Sequence, residues 1–382
     1  DDHTFTIELK APVIYFKQRL GDPAYAPLPE VAFKDLKKYG EAPIGNGRYK
    51  LKDGKGIDPN KGVTVVKNEN YRGTRAIKNG GIEVKFYVSD NAAYADAQAG
   101  NLDVLDKIPS KDLANLKTDF PDRSISKPNA TFSSVAIPYY LEGFQGEEGK
   151  LRRRAISYAI DRQVIIKNVF NDTLKPAKDF TSSVLPGFND KIKGSEVLAY
   201  DKKKAKELWE QANKIAPWPA DRKFEIAFNA DASHQPWVTA VSNDIKNSLG
   251  IEVGTKPIPL FADFLKQIKA KSIGSAFRTT WGPDFPSPAS YLPQLYGNGG
   301  SGNQSQHNNP EFDKILDDAK KAKTAEDAVK TYEKAQELLF RDLPVVPLWN
   351  GSSNAVWSDK VSNVKFGFTG GAFYSDIVKK KK

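Results

Sequence analysis

The sequence has 382 residues, and its 57 Lys or Arg against 47 Asp or Glu give a net charge of +10. This length predicts two or three domains, and an apolar fraction of 39% predicts a large folded core. Cysteine is absent, which excludes disulfides, thiol nucleophiles and cysteine-bound metals. Only three histidines occur, and no two of them are spaced to share a metal, so we expect no metal site. No apolar run reaches the ~18 residues of a membrane-spanning helix.

The first part of the chain predicts a mixed α/β sheet. Thr4–Leu9 and Glu83–Val88 alternate polar and apolar residues, as half-buried strands do. The alanine-rich stretch Asn91–Ala99 predicts a helix that Gly100 ends, and Leu102–Leu105 predicts another short strand. Strands that alternate with helices in this way favour a fold of mixed sheets flanked by helices.

After about Lys127 the chain becomes richer in amphipathic helices, and short glycine-separated strands return after Trp349. We therefore expect one domain from residues 1–128 and 351–382, and a second from residues 129–350. Helical periodicity or strand-like runs predict the following elements of the second domain: helices at Leu151–Ile160, Asp201–Ile215, Pro236–Leu249 and Phe261–Ala270, and strands at Phe224–Phe228 and Ser275–Thr280.

The positive charge is scattered among acidic residues, and its dense lysine runs are Lys202–Lys204 and Lys379–Lys382. A solvated surface accounts for this pattern better than a nucleic-acid interface, so we expect no nucleic-acid partner. Neither a phosphate-binding loop nor a GxGxxG after a strand is present, and no GxSxG elbow occurs. No pair of carboxylates is marked out as acid and base. We therefore expect no cofactor and no enzymatic activity.

The most informative stretch follows the strand predicted at Ser275–Thr280. It places Arg278, Trp281 and Asp284 close together around the stiff Gly282–Pro283 corner. An acid held beside an indole suits an ammonium group, by charge pairing and cation–π attraction. The alternative is structural: a buried tryptophan, an aspartate that caps a turn, and an arginine on a strand surface.

Eight landmarks, in this order, give the chain a recognisable family resemblance. They are residues 2–9, Pro43–Leu51, Asn70-Tyr71, Ala97–Asp103, Leu151–Arg162, Tyr200–Leu208, Trp281–Pro286 and Asp342–Pro347. Over nearly its whole length the chain resembles the oligopeptide, dipeptide and nickel-type solute-binding proteins of ABC importers.

The resemblance implies an α/β fold of the periplasmic-binding-protein type (type II, cluster C), a two-lobed clamp that closes on an extended peptide. The two predicted domains would then be lobe I and lobe II. In the motif Trp281-Gly282-Pro-Asp284, the aspartate would take the peptide's α-amino group. Arg278 and Lys269 match basic positions that can meet the C-terminal carboxylate. Phe261 matches an aromatic residue of the pocket wall, and Trp349 lies where the chain crosses between the lobes.

The resemblance also implies partners and a location. We expect a monomeric, extracytoplasmic protein, periplasmic or lipid-anchored on the outer face of the cell membrane, that delivers peptides to the permease of an ABC importer. Family members have well over a hundred residues before the segment that matches Thr4–Leu9, so we expect that the first part of lobe I and a small extra domain are missing here. The alternatives are a binder of nickel complexes, haem or oligosaccharides, a surface adhesin or receptor on the same fold, and a hydrolase.

Overall fold

A computed structural model describes residues 4–380 of the chain. The residues group into two units by their contacts, a larger one of residues 4–22 and 128–352 and a smaller one of residues 23–127 and 353–380. The helices of the described residues are α1 (Phe16–Arg19), α2 (Leu36–Glu41), α3 (Asp90–Gln98), α4 (Leu116–Asp119), α5 (Gly146–Tyr158), α6 (Arg162–Phe170), α7 (Lys202–Ile215), α8 (Gln235–Leu249), α9 (Phe261–Lys269), α10 (Leu292–Tyr296), α11 (Pro310–Lys320) and α12 (Ala325–Asp342).

Strands alternate with these helices along the chain. They are β1 (Tyr49–Leu51), β2 (Gly62–Lys67), β3 (Gly81–Lys85), β4 (Val104–Leu105), β5 (Ser124–Ala136), β6 (Lys175–Pro176), β7 (Phe224–Asn229), β8 (Val253–Ile258), β9 (Ala276–Trp281), β10 (Val345–Trp357), β11 (Val361–Ser362) and β12 (Val378–Lys379). The prediction of a mixed α/β fold is confirmed.

In the larger unit, β7 is the parallel neighbour of both β8 and β9. Helix α8 connects β7 to β8 and α9 connects β8 to β9, which is how parallel strands are joined. On the other side β9 pairs antiparallel with β5, which lies next to β10. The carboxyl ends of β7, β8 and β9 therefore meet at one edge of the sheet, the place where open α/β sheets bind their ligands.

The helices predicted for this unit are confirmed, with boundaries set by identifiable residues. Asp201 precedes α7, and its carboxylate accepts a hydrogen bond from the backbone N–H of Lys204. Helix α8 ends at Gly250, whose φ of 70° lies in the left-handed region that glycine adopts without strain.

One of the landmarks, the sequence that ends in Asp161-Arg162, is part of the core. Asp161 caps α6 by accepting from the backbone N–H of Val164. The buried Arg162 donates to the carbonyl oxygens of Ser157, Leu198 and Pro347. Because a buried guanidinium needs partners for its N–H groups, this arginine ties α5, α6 and β10 together. The landmark therefore reflects packing.

The smaller unit contains an antiparallel sheet of β1, β2 and β3, in which Thr64 lies opposite Glu83. Its apolar cluster lies elsewhere, where Tyr94 of α3 packs on Leu116 and Phe120 and near Val356 of β10. The strand predicted at Glu83–Val88 is shorter and begins earlier, at Gly81. Val84, Phe86 and Val88 do not face a core in the described residues, because all three side chains are exposed.

The prediction of a strand at Thr4–Leu9 is wrong. These residues are exposed and form no ladder with another described strand, and alternation alone does not make a strand without a pairing partner. Residues 4–22 also join the larger unit, whereas the sequence assigned them to lobe I. The N–H of Ile14 donates to the carbonyl oxygen of Lys320 at 3.2 Å, and the ring of Tyr15 lies 6.1 Å from that of Phe285. The assignment of the two units to the lobes of a clamp stays a prediction.

Within the described part of the chain, no helix is both long enough and apolar enough to cross a membrane.

Candidate functional site

A cavity of about 180 Å³ lies in the larger unit, beside the carboxyl end of β9. An apolar cavity of roughly 150 Å³ holds a benzene molecule, so this one has room for a single side chain or terminal group. Three of the residues that the sequence predicted line it, namely Arg278 and Trp281 of β9 and Phe261 at the start of α9. The remaining wall is largely apolar and includes Phe264 and Leu295.

Arg278 brings a positive charge to this wall, and it forms no ion pair with any residue from 4 to 380. Its Nε donates to the Oδ1 of Asn229 at 3.0 Å, and its Nη2 donates to the same oxygen. No carboxylate oxygen of the described residues lies within 4.0 Å of the guanidinium. Burial lowers the pKa of Arg278 to about 10, and the nearby Asp231 opposes that shift, so the side chain is charged at neutral pH. A partly buried cation without a counter-ion marks a candidate binding site.

Aromatic faces cover the same guanidinium. The carbon Cζ of Arg278 lies 4.9 Å from the ring centre of Phe264 and 5.2 Å from that of Phe261. Phe261 is exposed, whereas Phe264 is buried. The rings exclude water from one side of the cation and attract it through their negative faces.

Trp281 and Asp284 are held by one serine. The indole Nε1 of Trp281 donates to the backbone carbonyl of Ser290 at 2.7 Å, and the backbone N–H of Asp284 donates to the Ser290 hydroxyl at 2.8 Å. The Asp284 side chain is exposed, and no group of the described residues donates to its carboxylate. Partial burial raises its pKa, as does the charge of Asp22, while Arg19 opposes this. The carboxylate is therefore available to a ligand, although it does not line the cavity.

Gly282 lies between these two residues and is exposed. A Cβ added there would meet only Cγ2 of Thr131, at 4.0 Å, and its φ is not positive. Neither space nor backbone strain requires a glycine at this position.

The structure does not bring Lys269 and Trp349 to the cavity. Lys269 ends α9, so it is separated from Phe261 by about 12 Å of helix axis. Trp349 is 3% exposed and packs edge-on against Phe170 and Trp237 in the core. The family resemblance placed Trp349 where the chain crosses between the lobes. In the structure Trp349 lies on β10, and its side chain fills the core.

Sequence reasoning missed Asn229 and Asp231, which surround Arg278. The buried Asn229 is the last residue of β7, and Asp231 follows two residues later. Polar residues directly after a buried strand of a parallel sheet are a signal for the binding edge. The strand was predicted at Phe224–Phe228, so the signal was available in the Asn-Ala-Asp that follows it.

Comparisons with known proteins agree with this fold. The sequence profile of "Bacterial extracellular solute-binding proteins, family 5 Middle" matches residues 1–303. The dipeptide-binding protein DppE of Bacillus subtilis is 26% identical over 91% of this chain, and the heme-binding protein A of Haemophilus influenzae is 26% identical over 87% of it. This chain covers 63% of the length of DppE and 59% of that of the heme-binding protein, so both are much longer.

Solved structures share the fold over the whole chain. The Haemophilus influenzae OppA complex with the peptide RPPGFSPFR superposes with a TM-score of 0.84 at 20% sequence identity, and the match covers 100% of this chain and 74% of that one. The profile match extends over most of the chain, and this chain therefore belongs to family 5 of the bacterial extracellular solute-binding proteins.

Proposed function

We propose that the protein is an extracytoplasmic solute-binding protein that captures oligopeptides and delivers them to an ABC importer. Family membership supports a binding role, and DppE and the OppA complex are, by name, proteins that bind a dipeptide and a peptide. The observation that carries the proposal for this chain is Arg278, a charged guanidinium in a cavity wall that has no ion pair within the described part of the chain.

The two ends of a peptide carry opposite charges, and the candidate site offers a partner for each. Arg278 would receive the C-terminal carboxylate, because a guanidinium and a carboxylate form two parallel charge-assisted hydrogen bonds. Asp284 would receive the α-ammonium group, since its carboxylate has no donor among the described residues. Trp281 would give apolar contact to the residue nearest the carboxylate.

Recognition through the two termini makes no demand on most side chains. The proposed role for Arg278 and Asp284 therefore suits a protein that binds peptides of different sequence, as an importer of nutrients requires. Lys269 and Trp349 have no part in this proposal, because neither lines the cavity.

The proposal is tested by identifying what the protein carries. Protein purified without refolding is denatured, and the small molecules that it releases are identified by mass spectrometry. We expect a mixture of short peptides with free termini. Release of haem, a nickel chelate or an oligosaccharide in amounts equal to the protein would contradict the proposal and favour another solute of the family.

A further inference from the structure

Among the residues that the structure describes, only one edge of the Arg278 guanidinium has a hydrogen-bond partner. Arginine has five N–H donors, and here Nε and Nη2 both donate to the Oδ1 of Asn229. No acceptor among residues 4–380 binds the N–H groups at the end formed by Nη1 and Nη2. Arg278 lines the cavity, and this end carries the N–H groups that are left for a bound molecule.

The amide of Asn229 is itself oriented by Asp231. Its Nδ2 donates to Oδ1 of Asp231, so its oxygen is the atom directed at Arg278. The other oxygen of Asp231 accepts from the backbone N–H of Phe261 at 2.9 Å, at the first turn of α9. Burial would raise the pKa of Asp231, but the hydrogen bonds from Asn229 and the Phe261 amide hold it below its usual value.

The same phenylalanine closes the set of contacts. The backbone of Phe261 anchors Asp231, and its ring lies over the Arg278 guanidinium. Three hydrogen bonds in series connect these residues. They join Phe261 to Asp231, Asp231 to Asn229, and Asn229 to Arg278. The position of the cation is therefore tied to the start of α9.

We infer that Asn229 and Asp231 are positioning residues, which hold the Nη1–Nη2 end of Arg278 toward the cavity so that it binds one carboxylate group of the ligand. This inference rests on the proposed peptide-binding function and adds two residues to it.

Residue 229 is an asparagine, and its neutral amide determines the charge at the cavity wall. A neutral amide holds the guanidinium without neutralising it, whereas an aspartate at this position would pair with it directly. The nearest acid, Asp231, is one side chain further away and is occupied by two donors. The cavity wall therefore carries a positive charge that no direct ion pair among residues 4–380 neutralises.

The experiment compares three peptides by isothermal titration calorimetry. Trialanine has a free carboxylate, trialanine amide has none, and Ala-Ala-Asp amide carries a carboxylate only on its side chain. The variants are Asp231→Ala, which frees the Asn229 amide, and Asn229→Asp, which neutralises Arg278. Asp263→Ala is the matched control, since Asp263 is an exposed acid in the first turn of α9. Thermal unfolding of each variant reports its folding.

We expect wild-type protein and the control to prefer trialanine over its amide. Asp231→Ala should lower the affinity for trialanine about tenfold and leave the affinity for trialanine amide unchanged. A tenfold loss is the lower end of the effect of residues that orient a binding group at metal sites. Asn229→Asp should remove the preference altogether. If Ala-Ala-Asp amide binds the wild-type protein more tightly than trialanine amide does, the site also accepts side-chain carboxylates.

Two results would overturn the inference, and they are distinguishable. An equal loss of trialanine and its amide in Asp231→Ala would show that the residue serves the fold and does not position Arg278. Wild-type protein that binds none of the three peptides would contradict the proposed function, and the inference with it.

Discussion

The backbone carbonyl oxygen of Ser290 accepts a hydrogen bond of 2.7 Å from the indole of Trp281. The hydroxyl of the same serine accepts from the backbone N–H of Asp284. One residue of the loop after β9 thus fixes the orientation of the indole in the cavity wall and the position of the exposed acid. The corner Trp281–Asp284 is a preorganised surface, and preorganisation reduces the entropy lost when a ligand binds.

Replacement of Asp284 by Asn should weaken the binding of peptides that have a free amino terminus. A hydrogen bond to a charged group contributes about 1.5–3 kcal/mol, which corresponds to about a 10- to 100-fold loss of affinity. Because the pKa of Asp284 is raised, its carboxylate becomes protonated at a higher pH than is usual for aspartate. As the pH is lowered, the wild-type affinity should therefore begin to fall before the usual aspartate pKa is reached. Titration calorimetry between pH 4 and 8 measures both effects.

The control for this variant is Gly282→Ala. An added Cβ has room at this position, so the variant should bind as the wild type does. Equal losses in Asp284→Asn and Gly282→Ala would indicate that the corner as a whole is sensitive and that the Asp284 charge has no special role.

Arg278→Gln and Lys269→Gln separate the two basic residues that the family resemblance assigned to the carboxylate. Arg278 lines the cavity and has an unused donor edge, whereas Lys269 lies at the far end of α9. We expect Arg278→Gln to lose at least about tenfold in affinity for short peptides, and Lys269→Gln to lose none. The reverse order would place the carboxylate at Lys269 and refute the role of the cavity.

Asp342 should make the stability of the larger unit sensitive to acid. Burial would raise the pKa of this carboxyl group, but the contact with His307 and the hydrogen bonds from Asn309 and Arg341 lower it to about 2. A lowered pKa in the folded state stabilises the protein above the unfolded value of about 4, and this stabilisation is lost as the pH falls from about 4 to about 2. Asp342→Asn should therefore lower the free energy of unfolding by roughly 2 kcal/mol at pH 7.

Urea unfolding at a series of pH values checks this expectation. The difference between wild type and Asp342→Asn should shrink as the pH falls below 4. Asp318→Asn, which changes an exposed acid on α11, should leave the curve unchanged. A difference that stays constant down to pH 2 would show that the ionisation of Asp342 does not contribute.

Trp349→Ala should damage the fold. Its indole is buried against Phe170 and Trp237, and removal of a large buried aromatic side chain typically costs about 3–5 kcal/mol. Urea unfolding should show a loss of this size. A loss below about 1 kcal/mol would indicate that the side chain does not fill the core as described.

Local sequence patterns predicted helices α5, α7, α8 and α9 and strands β7 and β9 of the larger unit, because amphipathic periodicity and caps such as Asp201 and Gly250 act over a few residues. The strand at Thr4–Leu9 was predicted wrongly because pairing depends on distant neighbours. The sequence predicted only part of the site, because contacts between residues that are distant in the sequence leave no local pattern. Arg278, Trp281 and Asp284 are close in sequence, whereas Asn229 and Asp231 lie near Arg278 only because β7 lies beside β9. Trp349 shows the converse: the resemblance placed it where the chain crosses between the lobes, but the direction of its side chain depends on what packs around it.

We propose that the protein recognises the charged ends of a peptide. A calorimetric comparison of free and blocked peptides is the sharpest test of this proposal. Wild-type protein is titrated with the best-bound of dialanine, trialanine and tetraalanine, and then with the same peptide acetylated, amidated, or both. We predict that each modification weakens binding by at least about tenfold and that the doubly blocked peptide binds most weakly. A doubly blocked peptide that binds as tightly as the free one would contradict the account.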